Sequence, residues 1–352
     1  MKKVAILGHF GFGQEKTNGQ TIKTKIIADE LSRTYSDEQI GKKDTMGKWR
    51  FLFQCPFLLF SLLRNYLNIV FLPAYKGVLI IVPLIVLLNK LFHRRLHYVV
   101  IGGWLPSYVE KYYFLRKFAH HIDYIYVETE HMLREMKSKG FKNIVLMPNC
   151  KPLDIISEEE ASNKPRVSRT SSIPLCTFSR VMKQKGIEDA IEAVKSCNLQ
   201  NREKAYTLDI YGPIEKGEEQ WFKNLMEKQP ETIKYCGVVP YGNSTSTLCN
   251  YFALLFPTRF KTEGFAGTLI DAMAAGTPPI ASDCDSNIEI IEDGKTGILF
   301  PMNSQDALTN ILNQIYRHPE IINEMRSNCI RHSYDFLPGN VIKILTDQID
   351  QS

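Results

Sequence analysis

Short apolar runs alternate with longer amphipathic stretches along most of the chain. Residues 3–7 read as a buried strand, and a glycine-rich loop spans residues 8–19. A helix follows. Thr17-Asn18-Gly19-Gln20 fits a capping box, in which Thr17 and Gln20 satisfy free amide donors reciprocally, and Ile22, Ile26 and Ile27 mark the apolar side. Strand, glycine loop and helix form the opening unit of a doubly wound sheet. Residues 49–63 are a very apolar helix candidate interrupted by Pro56, residues 68–73 a buried strand, and residues 79–92 a second apolar helix with Pro83 near its first turn. Strands at 97–101, 124–127 and 144–147 complete the series. The first ends at Gly102-Gly103-Trp104, and a polar helix over 130–139, closed by Gly140, separates the other two.

Residues 151–172 change character, with Glu158-Glu159-Glu160 followed by Asn163, Pro165, Ser168 and Ser171, and read as a polar linker. A second series then begins, with strands at 175–178, 206–211, 233–235, 254–257 and 279–282, helices at 186–196 and 264–275, and a mostly helical tail from Asp306. Alternating strands and helices imply parallel sheets covered on both faces. The predicted fold is therefore α/β: two Rossmann-like doubly wound domains facing across a cleft. Their bounds are 1–150 and 173–330, with the linker at 151–172 and a tail, 331–352, able to return to the first domain. Ligands of open α/β sheets sit beyond the carboxyl ends of strands, so such a cleft suits an elongated ligand, a nucleotide joined to a second group.

Composition narrows the classes. With 352 residues, 44% apolar and 23% charged, the chain has ample core for two domains and is not a disordered polymer. The mean hydropathy is −0.18, and the longest apolar run, residues 77–88, contains Pro83 and falls short of the roughly 20 residues a spanning helix needs. The first residues, MKKVAILG, carry too few apolar positions for a signal peptide, and the eight cysteines form no C-x-x-C pair, so a reduced cytoplasmic setting is expected. Charge divides unevenly. Residues 1–150 hold 22 Lys and Arg against 11 Asp and Glu, a net +11, while residues 151–352 hold 21 against 27, a net −6. A basic half can face an anionic ligand or membrane. Signatures of nucleic-acid binding are missing, so no nucleic-acid partner is expected.

The densest chemical signal is Glu263-Gly264-Phe265-Ala266-Gly267-Thr268-Leu269-Ile270-Asp271, which follows a predicted strand and opens a predicted helix. Gly264 and Gly267 let backbone amides approach a ligand at a helix N-terminus, where free N–H groups and a partial positive charge suit a phosphate or a sugar hydroxyl. Glu263 and Asp271 are eight residues apart, about 12 Å if helical, and ionised carboxylates accept hydrogen bonds from paired hydroxyls. A helix cap with an exposed side chain is the plain alternative. Arg180 and Lys185 lie between a strand and a helix, where two cations can neutralise a diphosphate; a solvated basic loop is the alternative. The loop Gly8-His9-Phe10-Gly11-Phe12-Gly13 spells G-x-x-G-x-G without an acidic residue ending a second strand, so nicotinamide binding is not expected, and it lacks the G-K-[ST] of ATPase loops. Asp283-Cys284-Asp285 spells D-x-D, but it stands apart from the Glu263 block, and no metal site is expected. His9, His97, His120 and His121 read as satisfied structural histidines, with His9 the one to test.

The Glu263–Asp271 block resembles the Glu-x7-Glu signature of the retaining nucleotide-sugar glycosyltransferases of family 4, which have the GT-B fold. The resemblance covers residues 173–330. Arg180-Val-Met-Lys-Gln-Lys185-Gly186 is similar to that family's Arg-x4-Lys-Gly segment. Leu208-Asp-Ile-Tyr-Gly212 and Tyr235-Cys-Gly237-Val238 resemble its strand ends near the base, and 281–299 its next segment. In the first half, residues 8–25 and 97–104 look like members that build bacterial capsular or exopolysaccharide chains. Asp271 replaces the second Glu, Asp285-Ser286 stands where a glycine pair is common, and Gly102-Gly103 occupies the place of a frequent catalytic histidine. The resemblance implies transfer of a sugar from a nucleotide-diphosphate-sugar to a saccharide acceptor, a lipid-linked one, with retention and without a metal or other cofactor. Glu263 and the 264–268 amides would hold the donor sugar, Asp271 the ribose, and Arg180 and Lys185 the diphosphate. Gly13, Gly19, Gly212 and Val238 would line the donor site. Two other functions remain open: a nucleotide-sugar epimerase of the same fold, and a non-catalytic subunit that binds a partner transferase. The segment 49–63, flanked by Lys42, Lys43, Lys48, Arg50 and Arg64, is either a core helix or a membrane-surface helix gripping anionic lipid, which would make the cytoplasmic protein peripheral on the inner face of the membrane.

Overall fold

The computed structural model describes residues 1–11, 19–45, 48–73, 75–162, 172–201, 205–240, 242–260 and 263–351. The capping box at Thr17 and the candidate Gly13 lie outside them, as do 163–171 of the predicted linker and the side chains of Lys48 and Arg50. The chain divides into two units: Met1–Pro152 with Phe336–Ser352, and Leu153–Asp335.

Unit 1 is a six-stranded parallel sheet of β1 (Lys2–Gly8), β2 (Ile40–Asp44), β3 (Tyr66–Phe71), β4 (Arg95–Val99), β5 (Tyr124–Val127) and β6 (Ile144–Leu146), in the order β2-β1-β3-β4-β5-β6. Successive side chains of a strand point to opposite faces. Val4 and Ile6 therefore join Ile27 and Leu31 of α1 (Gly19–Thr34) and Val341 and Leu345 of the Pro338–Asp350 helix. Ala5 and Leu7 face the other way, toward Leu59 and Leu62 of α2 (Lys48–Asn65) and Ile81 and Ile85 of α3 (Val78–Phe92). Each of the Val, Leu and Ile side chains among them contributes about 1.5–3 kcal/mol on burial.

Three features of unit 1 differ from the sequence reading. β2, absent from that reading, is a polar edge strand in which only Ile40 is buried, so neither alternation nor an apolar run marks it. Pro56 does not interrupt α2; it faces solvent, where water can take the carbonyl its missing N–H leaves unpaired. Helices Leu105–Lys111 and Tyr113–Ala119 fill a stretch without a predicted element.

Unit 2 is built from β7 (Ile173–Phe178), β8 (Tyr206–Tyr211), β9 (Ile233–Gly237), β10 (Ala253–Phe256), β11 (Pro279–Ser282) and β12 (Ile298–Phe300), all parallel, in the order β12-β11-β10-β7-β8-β9. The winding direction reverses between β7 and β10, the crevice where doubly wound sheets bind ligands. The linker reading is corrected at its near end. The Glu158–Ser162 helix packs against the Glu320–Ser333 helix, and the Ile156 N–H donates to the Ala274 carbonyl at 3.1 Å, so this stretch is part of unit 2. Acidic composition suggested a solvated spacer; buried Ala161, the Ile156 amide and a Glu158–Arg331 ion pair at 3.2 Å hold it to unit 2 instead. Among the described residues no helix is long and apolar enough to cross a membrane.

Candidate functional site

At the β7/β10 crevice two loops bring opposite charges together. Lys185 stands on the loop after β7 and Glu263 on the loop after β10. Lys185 Nζ lies 2.5 Å from Glu263 Oε2, with both side chains about nine-tenths buried at 10% and 12% exposure. The Thr258 hydroxyl donates to the same oxygen at 2.9 Å, and the Lys185 ammonium sits 5.2 Å from the centre of the Phe256 ring. Both bonds fall on Oε2. Glu263 Oε1 therefore keeps its acceptor capacity for a hydroxyl, and the ammonium keeps two of its three donors for an anion.

Backbone geometry holds the two loops in register. Gly186 adopts φ +68°, and a Cβ there would lie 1.9 Å from the Pro257 carbonyl oxygen, so only glycine lets the β7 loop close on the end of β10. Gly212, at φ +132°, approaches the Ser179 carbonyl as closely, which brings the end of β8 to the Arg180 loop. Arg259 forks onto Asp189 through two nitrogens, Nε to Oδ2 at 2.7 Å, and its own N–H donates to the Gln184 carbonyl at 2.8 Å. The Ser282 hydroxyl pins the Thr258 carbonyl from β11 at 2.7 Å. Asp189 and Arg259 escaped the sequence reading because they lie 70 residues apart in the chain, and Thr258 because no motif marks a lone threonine after a strand.

Arg180 has a different partner from Lys185. Its exposed guanidinium pairs with Glu215 at 2.7 Å. The helical spacing assumed between Glu263 and Asp271 does not apply either. The helix is Gly267–Ala274, Glu263 precedes it on a loop, and only Gly267 to Asp271, about 6 Å, is helical. The helix begins late because Ala266 is extended at φ −76°, ψ 102° and no side chain caps the first turn. Its first amides therefore point forward unpaired by any cap. The Thr268 hydroxyl oxygen is buried without a hydrogen-bond partner among the described residues, an arrangement that asks for a polar ligand. Gly264 is half-buried, Phe265 and Ala266 are buried, and Asp271 is buried within the helix. Val238 is exposed beyond β9, and Gly19 is exposed at the start of α1. Asp283 Oδ1 accepts the Met302 N–H at 2.7 Å.

In unit 1 the carboxyl ends of β1, β3, β4 and β5 carry different chemistry. Lys23 of α1 forms a buried ion pair with Glu128, whose other oxygen accepts the Gly102 N–H at 3.0 Å. His9 Nδ1 meets the Thr21 hydroxyl at 2.8 Å. Tyr75, after β3, packs on Trp104 and Tyr108, after β4, with ring centres 5.2 and 4.3 Å apart. Tyr75 is exposed and Trp104 half-buried, so part of this aromatic cluster is presented to solvent. His97 is buried in β4 with both ring nitrogens bonded, to the Tyr126 hydroxyl and Asn68 Oδ1, and burial, with nearby Arg95, holds its pKa down to about 3. It is a neutral structural histidine, as the sequence suggested.

Comparison with known proteins bears on the family and the fold. The family described as glycosyl transferases group 1 matches residues 158–336. The chain is 26% identical over 240 residues to the GtfA subunit of the UDP-N-acetylglucosamine–peptide N-acetylglucosaminyltransferase of Streptococcus pneumoniae serotype 4, which takes in 65% of this chain and 44% of that one. It is 28% identical over 167 residues to an uncharacterised 41.2 kDa protein in the cps region of Klebsiella pneumoniae, taking in 46% of this chain and 43% of that one. The chain thus spans less than half the length of these curated relatives. In fold it is similar to Anabaena Alr3699/HepE, solved in complex with UDP, with a TM-score of 0.76 at 14% identity over the whole of both chains.

Proposed function

The chain belongs to the group 1 glycosyl transferases, and from that premise we propose that it moves a sugar, with retention, from a nucleotide-diphosphate-sugar to a saccharide acceptor in the making of a surface polysaccharide. The observation that carries the reading is the Lys185–Glu263 pair at the strand-order reversal of unit 2. A diphosphate bears charge that grows as the glycosidic bond breaks, and a preorganised ammonium in a partly buried site stabilises that growth. Glu263, tied at Oε2, offers Oε1 to a hydroxyl of the donor sugar, and the 264–268 amides with the Thr268 hydroxyl meet the remaining oxygens. Asp271 takes the ribose hydroxyls, and exposed Arg180, released from Glu215, adds a second cation to the diphosphate. Attack from the face that the phosphate leaves makes that phosphate the base that removes the acceptor proton. No metal takes part.

The exposed Tyr75 and half-buried Trp104 rings support a saccharide acceptor in unit 1, because aromatic faces pack on the C–H faces of sugars. The cps-region relative supports a capsular product, and a lipid-linked acceptor at the inner membrane face follows from such a product. Turnover of UDP-, GDP- and ADP-sugars, with Glu263→Gln and Lys185→Gln beside the native chain, tests the reading. Loss of transfer in both variants with the fold intact supports it. Normal transfer in either overturns the donor site, and epimerised donor released without an acceptor replaces the reaction.

A further inference from the structure

The amino end of the unit 1 sheet, opposite the strand ends described above, carries a second constellation. A cavity of about 400 Å³ opens there, lined by Lys90 and His93 at the end of α3, Arg94 and Arg95 at the start of β4, and His121 and Asp123 just before β5. Its carboxylate is already engaged, since Asp123 Oδ2 accepts the Leu96 N–H at 2.8 Å. The two arginines are oriented by single bonds, Arg94 Nε to the Leu63 carbonyl at 2.9 Å and Arg95 Nη1 to the Tyr124 hydroxyl at 3.3 Å. Most of their ten N–H donors stay available. Cations converging on one concave site favour an anion rich in oxygen.

Beside the cavity, α2 and α3 turn apolar side chains to solvent: Phe57, Phe60, Leu87 and Leu91, with exposures of 81%, 42%, 49% and 72%. Phe60 meets Phe92 edge to face at 5.0 Å, which joins the two helices at this face. Ile80, Leu87 and Leu91 recur at a spacing that forms one stripe along α3. Contiguous exposed apolar surface of this kind marks an interaction site. Charge decides its partner. Between Asp44 and Glu110 the chain holds seven Lys or Arg and not one Asp or Glu. A protein surface mixes charges; a surface offering hydrocarbon beneath a uniform layer of phosphate does not.

We infer that this face docks on an anionic lipid bilayer, with the cavity receiving a phosphoryl headgroup and Phe57, Phe60, Leu87 and Leu91 entering the boundary between headgroups and acyl chains. The inference rests on the membrane-side acceptor proposed above. It moves the contact from the cations at 42–50 to the end of α3. Lys42 and Lys43 lie on the edge strand β2 instead.

Co-sedimentation of the full chain with phosphatidylglycerol-containing and pure phosphatidylcholine vesicles tests it, at 0.1 M and 1 M salt, where the screening length falls from about 10 Å to about 3 Å. Strong binding is expected only to anionic vesicles at the lower salt. Lys90→Glu and, separately, Leu87→Ser/Leu91→Ser should each weaken it about tenfold; Lys42→Gln/Lys43→Gln should not. All are exposed positions, and melting temperature checks the fold. Equal binding of the α3 variants, with loss in the β2 variant, overturns the docking face while leaving a membrane-side enzyme. Binding of inorganic phosphate without vesicle binding overturns it in favour of a soluble anion. Absence of vesicle binding overturns both docking and the membrane-side acceptor. Transfer to a soluble saccharide must be unchanged in the α3 variants; its loss assigns the cavity to catalysis instead and defeats the inference.

Discussion

In unit 2 the chain reverses its winding between β7 and β10, and a lysine and a glutamate from those two loops meet at the crevice. In unit 1 it reverses between β1 and β3, and there the strand ends gather aromatic rings and a buried Lys23–Glu128 pair. Both sheets are six-stranded and parallel, so the backbone offers each the same kind of ligand crevice. What separates them is the side chains at the mouth. A fixed ammonium, uncapped helix amides and a hydroxyl without a partner among the described residues suit a charged diphosphate, whereas a partly exposed aromatic cluster suits a nearly neutral sugar. The overall charges run the other way, +11 for residues 1–150 and −6 for 151–352. Net charge therefore does not say which crevice suits a diphosphate. In unit 2 one placed cation stands within an acidic total, while in unit 1 Lys90, Arg94 and Arg95 line a cavity at the opposite end of the sheet.

The largest effect should come from the charged pair. Glu263→Ala and Lys185→Ala should each lower kcat/KM for transfer at least about a hundredfold, since each removes charge or orientation at the breaking bond. Near-normal turnover in either, with the melting temperature retained, breaks the contrast between the units. Next comes the loop register. Gly186→Ala forces a Cβ against the Pro257 carbonyl and should cost unit 2 about 2–3 kcal/mol, seen as earlier hydrogen exchange across β7 and β10 with β1 and β3 protected as before.

The pH effect of a buried histidine belongs to unit 1. Folded His97 binds its proton only near pH 3, while the unfolded ring binds it at about 6.5, so the unfolded state is favoured as pH falls through that window. From pH 6.5 to 5 the loss is about 2 kcal/mol, and above pH 6.5 it vanishes. Melting curves of the native chain against His97→Gln measure it; parallel pH profiles would remove the buried neutral histidine. A smaller effect separates acceptor from donor. Trp104→Ala should lower transfer about tenfold while slow hydrolysis of the donor continues unchanged, and equal loss of both would place the aromatic cluster in the fold rather than at the acceptor. The smallest expected effect is none: turnover in excess chelator should match that in magnesium, and restoration by metal alone would bring Asp283 and Asp285 back as ligands.

Much of the architecture was legible along the chain. Strands β5, β8 and β11 stand at the predicted residues, and the Glu263–Asp271 block announced itself because its glycines and carboxylates are neighbours in sequence. Periodicity is a local property, and so is a motif. Three kinds of feature were not local. Edge strand β2 is stabilised by one neighbouring strand and carries no apolar alternation. Pro56 stays in a helix because the packed sides of α2 outweigh one lost hydrogen bond. The Gly267 start of the helix depends on the extended Ala266, which moved Glu263 off it.

The sequence by itself determined that this is a two-part α/β protein with a carboxylate-and-glycine block after a strand, because strand and helix periods and turn chemistry act between near neighbours. Only the tertiary structure decided which charges meet. Lys185 and Glu263 are 78 residues apart and touch because β7 and β10 are adjacent in the sheet, while Arg180, five residues from Lys185, is drawn to Glu215 instead. The Tyr75–Trp104 platform and the cavity joining Lys90 to His121 are likewise products of sheet order. Strand order is set by the packing of whole elements against a shared core, an energy summed over many distant residues that no window of the chain contains.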